Sequence, residues 1–275
     1  MEGILDRIVE HKRREVKERQ DLYPVKLLER SPYFSAPAVS LRKYLRRQDK
    51  VGVIAEIKRK SPSAGVLKED LSVEQISIGY MQAGASALSV VTDHQFFGGS
   101  NDDLTTARRF NFCPVLRKDF IISDYQLIEA RSIGADAVLL IASILSPASQ
   151  ASLARLARDL GMEVLLEVHS EEELKSAASE CADLIGVNNR NLDTLRLDTN
   201  SSAEIGTLIP PGIARVAESG LHDAAQIVAL KRAGFDGFLI GESFLRSSKP
   251  AAACERLIRE VRRQLAHRDA DGGES

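Results

Sequence analysis

The chain has little with which to staple, span or grip. Its three cysteines, Cys113, Cys181 and Cys254, lie far apart and make no Cys-x-x-Cys. That argues against a disulfide framework or a zinc site and fits a reducing cytoplasm. No apolar run is long enough to cross a bilayer, and the longest, near Ala137 to Leu145, is strand-like. The N-terminus opens with Glu2 and Asp6 and lacks the continuous apolar stretch of a secretory leader. A formal net charge of -2 and a pI near 6.3 give no general electrostatic reason to bind nucleic acid or membrane. Missing too is a Gly-x-Gly-x-x-Gly after the first strand, so a nucleotide-binding doubly wound sheet loses support.

What is present begins with length. The 275 residues are ample for a sizeable core, as one large domain or two small ones. The organising stretch is Val53 to Gly65, which starts as an apolar, β-branched run and reads as a buried strand. Glu56 and Lys58 interrupt it two residues apart, so on a strand their side chains leave by one face. A carboxylate and an ammonium on a core strand are expensive unless they meet each other or a ligand. Two readings stand at this point: a structural ion pair, or a site. Ser61-Pro62-Ser63 reads as the end of the strand, since Pro cannot donate to a ladder.

Before that stretch, Ile4, Leu5, Ile8 and Val9 fall at helical spacing and lead into His11-Lys12-Arg13-Arg14-Glu15. This predicts an amphipathic helix whose basic cluster is a solvated face. Pro24, Pro32 and Pro37 predict a broken connection, with a short helix starting near Val39-Ser40-Leu41-Arg42. From Val53 onward a short apolar strand, a loop and a helical stretch recur. The strands read are Val53–Ile57, Ala87–Val91, Val115–Lys118, Ala137–Ile141, Glu163–Val168, Leu184–Val187, Ala214–Ala217 and Gly237–Ile240. Helical patterns lie at Val73–Ala83, Tyr125–Ile133, Ser149–Leu160, Glu171–Ala178 and Ala224–Arg232. Several close on Ala83-Gly84, Ile133-Gly134 or Ala233-Gly234, where Gly suits a left-handed cap. The fold class predicted is α/β, a single closed (β/α)₈ TIM barrel of about 250 residues, with an open doubly wound sheet as the alternative. Residues 1–48 would be a helical extension, 49–266 the barrel, and 267–275 a flexible, polar, Gly-rich tail.

In a barrel, chemistry sits where the strands end. Here those ends carry Glu56 and Lys58, Thr92-Asp93, Lys118-Asp119, Glu167, Asn188-Asn189-Arg190, Glu218-Ser219-Gly220 and Gly241-Glu242-Ser243. A scaffold alone has no reason to place charge at nearly every mouth position. The signs compensate: Glu56, Glu167 and Glu218 stand against Lys58, Lys118 and Arg190, which lets ammonium serve as acid and carboxylate as base near neutral pH. Ser219-Gly220 and Gly241-Glu242-Ser243 follow the last two strands, where this architecture places a phosphate cradle. His94 and His169 lack spaced partners, so a metal site is not expected. Phe96-Phe97, flanked by Gly98-Gly99, suits a flat apolar ring at the mouth.

Together these phrases resemble the indole-3-glycerol phosphate synthase family of tryptophan biosynthesis. The phrases that carry the likeness are Ala55-Glu56-Ile57-Lys58 with Ser61-Pro62-Ser63, Thr92-Asp93 with Phe96-Phe97 and Gly99-Ser100, and Leu116-Arg117-Lys118-Asp119-Phe120. The series continues through Leu166-Glu167-Val168, Gly186-Val187-Asn188-Asn189-Arg190-Asn191-Leu192, Ala217-Glu218-Ser219-Gly220 and Gly241-Glu242-Ser243. Arg59-Lys60 and Phe244-Leu245 are variants at looser positions.

The resemblance implies a barrel whose N-terminal segment covers its mouth. It also implies a carbon–carbon lyase that closes an indole ring on 1-(2-carboxyphenylamino)-1-deoxyribulose 5-phosphate with loss of CO₂ and water. By the same resemblance Lys118 is the general acid of closure, and Lys58 holds the substrate carboxylate. Glu167 serves the dehydration, while Glu56 and Asn188 orient the lysines and the departing hydroxyl. Phe97 would meet the aromatic ring, Arg190 and Glu218 would complete the polar ring, and Ser61, Ser219, Gly220, Gly241 and Glu242 would hold the phosphate. No metal or organic cofactor is implied. The expected setting is cytoplasmic, as a monomer or weak homo-oligomer that binds a phosphorylated small molecule and neither nucleic acid nor membrane. The rivals are a phosphoribosylanthranilate isomerase, a Schiff-base aldolase and a non-catalytic barrel that binds a partner through its N-terminal helices.

Overall fold

A computed structural model describes residues 3–177, 181–190 and 201–271. Eight parallel strands close into a barrel: β1 (Val53–Ile57), β2 (Ala87–Val91), β3 (Val115–Lys118), β4 (Ala137–Ile141), β5 (Glu163–Val168), β6 (Leu184–Asn188), β7 (Ala214–Glu218) and β8 (Gly237–Ile240). Each strand pairs with the next in sequence, and β1 closes on β8 in the register Val53↔Phe238 and Ile54↔Leu239. These strands are buried on both faces, so their apolar runs are continuous rather than alternating. The (β/α)₈ expectation holds, and the open sheet is excluded by the β1–β8 pairing.

Two apolar layers result. Ile54, Leu116, Leu139, Leu165, Leu184 and Leu239 fill the barrel, while a larger layer packs between strands and outer helices. The linking helices turn back into the sheet through Gly84, Gly134 and Gly234, all at positive φ. The helix expected to begin at Tyr125 begins one residue earlier, over Asp124–Ser132. The one expected to reach Ala178 spans Glu171–Ser176, and Ala178 itself lies outside the described residues.

The N-terminal segment serves both ends of the barrel. Helix α1 (Ile4–Leu22) buries Leu5, Ile8, Lys12 and Val16 along one stripe. Its Ile4, Leu5 and Ile8 roof the mouth. The helix Leu41–Leu45, capped by Ser40, plugs the opposite end with Leu41 and Leu45. Carboxylates there fasten it: Glu163 accepts from the Arg42 N–H at 2.8 Å, and Asp136 from the Val39 N–H at 2.8 Å.

Three expectations need correction. The basic cluster of α1 is not wholly solvated, because Lys12 is 1% exposed. It is drawn in by carboxylates that belong to other elements. Ser61-Pro62-Ser63 does not simply end β1: Lys60–Ser61 pairs with Gly65–Val66 in a small antiparallel hairpin, with Pro62 in its turn. The tail expected from His267 begins later, because the last helix runs from Pro250 to Asp271. Ala266 to Asp271 contains neither Gly nor Pro, and the first breaker is Gly272. Residues 272–275 lie outside the described residues. Among the described residues no helix is long and apolar enough to cross a membrane.

Candidate active site

The C-terminal ends of the strands converge on one pocket under α1. All thirteen residues that the sequence singled out line it: Glu56, Lys58, Ser61, Phe97, Lys118, Glu167, Asn188, Arg190, Glu218, Ser219, Gly220, Gly241 and Glu242. Their contributors are six of the eight strand ends, together with the hairpin after β1 and the loop after β2. The end of β4 gives only Leu139 and Ile141. Together with Ile4, Leu5 and Ile8 of the roof and Phe97, Phe120 and Leu239 they give the pocket apolar surface beside its charged groups.

Lys118 stands at the centre. Its Nζ lies 3.8 Å from Glu56, 3.9 Å from Glu167 and 3.9 Å from Glu218, which belong to β1, β5 and β7. Burial works against the ammonium, but the three carboxyls outweigh it and raise its pKa above the ordinary lysine value. Lys58 pairs with Glu56 at 2.5 Å. Glu56 is buried, which favours its neutral form, yet Lys58 and Lys118 hold it ionised.

Glu167 and Glu218 differ sharply. Burial would raise both. For Glu167, Lys118, the His169 ring at 3.3 Å and the Asn188 amide reverse this and bring its pKa to about 2. For Glu218, burial and the charge of Glu167 act together and push its pKa well up. The two carboxyls are therefore pressed toward opposite protonation states. Asn188 is fixed for its part, since its Oδ1 accepts the Arg190 N–H at 3.0 Å and its amide nitrogen is left for Glu167.

Two glycines make room for this crowding, and the sequence reading missed one of them. A Cβ on Gly186 would stand 2.2 Å from Glu218 Oε1, and one on Gly241 would stand 2.5 Å from Glu56 Oε1. The Gly186-Val187-Asn188 phrase held that signal, but its reason lies across the barrel. Asn191 and Leu192 of the same phrase lie outside the described residues.

The loop after β7 takes an unusual path. Ser219 has φ 63°, the only non-glycine positive φ among the described residues, and Gly220 follows at 72°. Successive residues of this kind turn backbone N–H groups to one side. Asn189 Nδ2 donates to the Ser219 carbonyl at 3.0 Å and holds the turn. Opposite, Ser61 is buried in its hairpin and accepts the Ala64 N–H at 3.1 Å. Arg190 pairs with Glu242 at 3.5 Å, so the two sides of the polar rim are linked.

Of the aromatic pair, Phe97 lines the pocket, while Phe96 packs edge-on against His11 of α1. Asp93 shapes their loop by accepting the N–H groups of Phe96 at 2.8 Å and Phe97 at 3.2 Å. Its other oxygen meets Lys12 at 3.0 Å, as an ion pair rather than an aligned hydrogen bond. Lys12 also meets Asp119 at 2.9 Å and Glu15 at 2.9 Å. Asp119 in turn bonds Arg117, which reaches Glu129 at 2.8 Å, and Glu129 takes Arg19 of α1 at 2.5 Å. A buried ionic chain thus ties the roof helix to the strand that carries Lys118.

A sequence profile described as Indole-3-glycerol phosphate synthase matches residues 5–257. An indole-3-glycerol phosphate synthase of Bacteroides thetaiotaomicron is 42% identical over 261 residues, which is 95% of this chain and 100% of that protein. One of Bordetella pertussis is 46% identical over 211 residues, 77% of this chain and 80% of that protein. One of Sulfurimonas denitrificans is 42% identical over 257 residues, 92% and 98%. Among solved structures, a thiamine phosphate pyrophosphorylase from Pyrococcus furiosus superposes with a TM-score of 0.59 at 17% identity, covering 82% of this chain and 100% of that one. A mutant tryptophan synthase alpha-subunit from Pyrococcus furiosus gives 0.57 at 11% identity, covering 78% and 98%. Those two likenesses speak for the fold alone.

Proposed function

From the premise that this chain belongs to the indole-3-glycerol phosphate synthase family, we propose how its residues divide the reaction. The enzyme is a carbon–carbon lyase of tryptophan biosynthesis that forms indole-3-glycerol phosphate. On our reading Lys58 holds the substrate carboxylate, and Lys118 gives a proton to the ribulose carbonyl oxygen as the ring carbon attacks. Lys118 suits that role because its proton is held in place by three carboxyls while its tip remains open to the pocket.

CO₂ then leaves and the ring recovers its electrons, after which water departs. Glu167 serves that dehydration, with Asn188 and Glu56 orienting the departing hydroxyl and the lysines. Phe97 packs on the aromatic ring. Glu218 and Arg190 complete the polar wall, and Ser61, Ser219, Gly220, Gly241 and Glu242 hold the phosphate, by backbone where no donor side chain exists. We place the enzyme in the cytoplasm as a monomer or weak homo-oligomer, as one domain with residues 1–48 as its helical extension, working without metal or organic cofactor and without nucleic acid or membrane.

The observation that carries this reading is Lys118 Nζ within 3.9 Å of carboxyls from three separate strands, in the pocket that Lys58 also lines. The test is Lys118→Ala, followed by indole fluorescence of the product. Loss of about 10² to 10⁴-fold in ring closure is expected, with the fold retained by circular dichroism. Turnover near that of the unsubstituted enzyme would refute the role. A borohydride-trapped substrate adduct on Lys118 or Lys58 would replace it with Schiff-base chemistry.

A further inference from the structure

We propose that His169, braced by Glu173, fixes Glu167 as the charged member of the Glu167–Glu218 pair and leaves the shared proton on Glu218. The inference rests on Glu167 being the acid–base group of dehydration. It adds a positioning residue that acts through Glu167.

Glu167 and Glu218 end the two strands that flank β6, and the bare Gly186 on β6 is what admits the Glu218 carboxyl. Each reaches to 3.9 Å of Lys118 Nζ. Two buried carboxyls that share one ammonium do not both ionise cheaply, so one of them tends to keep a proton. Which one keeps it depends on their other neighbours. Glu167 has His169 Nε2 at 3.3 Å from Oε1 and the Asn188 amide. Neither oxygen of Glu218 has a hydrogen-bond partner among the described residues, and Lys118 is the cation that reaches it.

His169 cannot swing away from this duty without breaking its anchorage. Its side chain is 7% exposed. Its Nδ1 lies 3.2 Å from Glu173 Oε2, and its backbone N–H donates to the same oxygen at 2.8 Å. Glu173 belongs to the helix Glu171–Ser176, which Ser170 caps by accepting the Glu173 N–H at 3.1 Å. The ring is therefore clamped with Nδ1 outward and Nε2 toward the pocket. The titratable groups that face it are acidic: Glu167 on its own strand, Glu173 and Glu171 on the following helix, and Glu204 on the helix Ser201–Gly206 beside it. Burial disfavours the imidazolium, but Glu167 and Glu173 outweigh it and raise the pKa to about 10. An ionised carboxyl then sits on the same ammonium as a carboxyl favoured in its neutral form, so the pair offers both a proton acceptor and a proton donor for the loss of water.

The test uses the full chain with His169→Gln and Glu173→Gln. His169→Gln should lower kcat about 10- to 100-fold with KM within about threefold, and move the acid limb of the kcat–pH profile up by about one unit. Glu173→Gln keeps the ring and should move the limb the same way by less. Infrared spectra at neutral pH should show a protonated-carboxyl band that Glu218→Gln removes and that His169→Gln shifts. An unmoved acid limb in both variants, or no such band on Glu218, would overturn the inference. If Glu167→Gln damages dehydration while the His169 and Glu173 variants behave as the unsubstituted enzyme, this inference alone fails. If Glu167→Gln dehydrates normally, the role of Glu167 falls with it.

Discussion

Replacing Lys12 with Met should be among the most damaging single changes outside the pocket. The ammonium is 1% exposed and lies between Asp93, Asp119 and Glu15 at 2.9 to 3.0 Å. Methionine fills the space but strands two buried carboxylates. Removing one partner of a buried ion pair destabilises by roughly 3 to 5 kcal/mol. The lower end applies, because Asp119 keeps Arg117 and Thr92 and Asp93 keeps two backbone donors. For a domain of this size about 3 kcal/mol lowers Tm by roughly 6 to 12 °C. The sign with pH is definite. Burial opposes the Lys12 charge but the carboxylates outweigh it and raise its pKa, so its contribution is complete below the unfolded value of about 10.4. The Asp119 pKa is lowered by Lys12 and Arg117 against burial, so its share is present above about 3.9 and is lost on acidification. The deficit of Lys12→Met should therefore be flat across neutral pH and shrink in acid. Since Asp93 also shapes the Phe97 loop, KM should rise as well. Adding Asp93→Asn to Lys12→Met should recover part of the Tm. Thermal denaturation with substrate titration decides the matter, and a double variant less stable than Lys12→Met alone would refute the stranded-charge argument.

Two further outcomes are expected. Glu167→Gln should damage dehydration more than closure, so rapid-quench sampling should find an accumulating ring-closed intermediate; its absence would count against that division. Glu218→Gln should raise thermal stability while lowering activity. The Glu218 pKa is raised in the fold by burial and by Glu167, so its stability contribution is present below about 4.3 and is lost as pH rises. The neutral amide escapes that loss, and the gain should be on the order of 1 to 2 kcal/mol at pH 8 and less at pH 5. Melting curves at both values check it.

The barrel was legible because parallel strands buried on both sides read as unbroken apolar runs, as in Val53–Ile57 and Ala137–Ile141. β6 and β7 run one residue past the reading, to Asn188 and Glu218, because a polar residue at a strand end looks like loop until the barrel gives it a pocket to face. The helix Asn101–Phe110 went unread, although Ser100 caps it by accepting the Asp103 N–H, since only Leu104 and Ala107 of its apolar residues are buried. Lys12 looked like one more solvated charge. Its partners Asp93 and Asp119 follow two different strands, and no local pattern joins them to it. His169 was weighed only as a metal ligand; its actual neighbours are a carboxylate two residues back and another four residues on.

The charge balance written in the sequence is not the balance at work in the pocket. Glu56, Glu167 and Glu218 match Lys58, Lys118 and Arg190 one for one on paper. In the fold Arg190 engages Glu242 on the rim, and Glu218 is driven toward its neutral form. Two lysines then face Glu56 and Glu167, whose surroundings favour the ionised form, and a third carboxyl whose surroundings favour the neutral one. A doubly charged phosphate and a carboxylate would enter a pocket without surplus negative charge, which three ionised glutamates would not allow. Neutralising one carboxyl by burial achieves this without another cation, whose own desolvation would have to be met. Gly186 is the structural root of that arrangement, because a Cβ there would stand 2.2 Å from Glu218 Oε1 and force the carboxyl from its buried position.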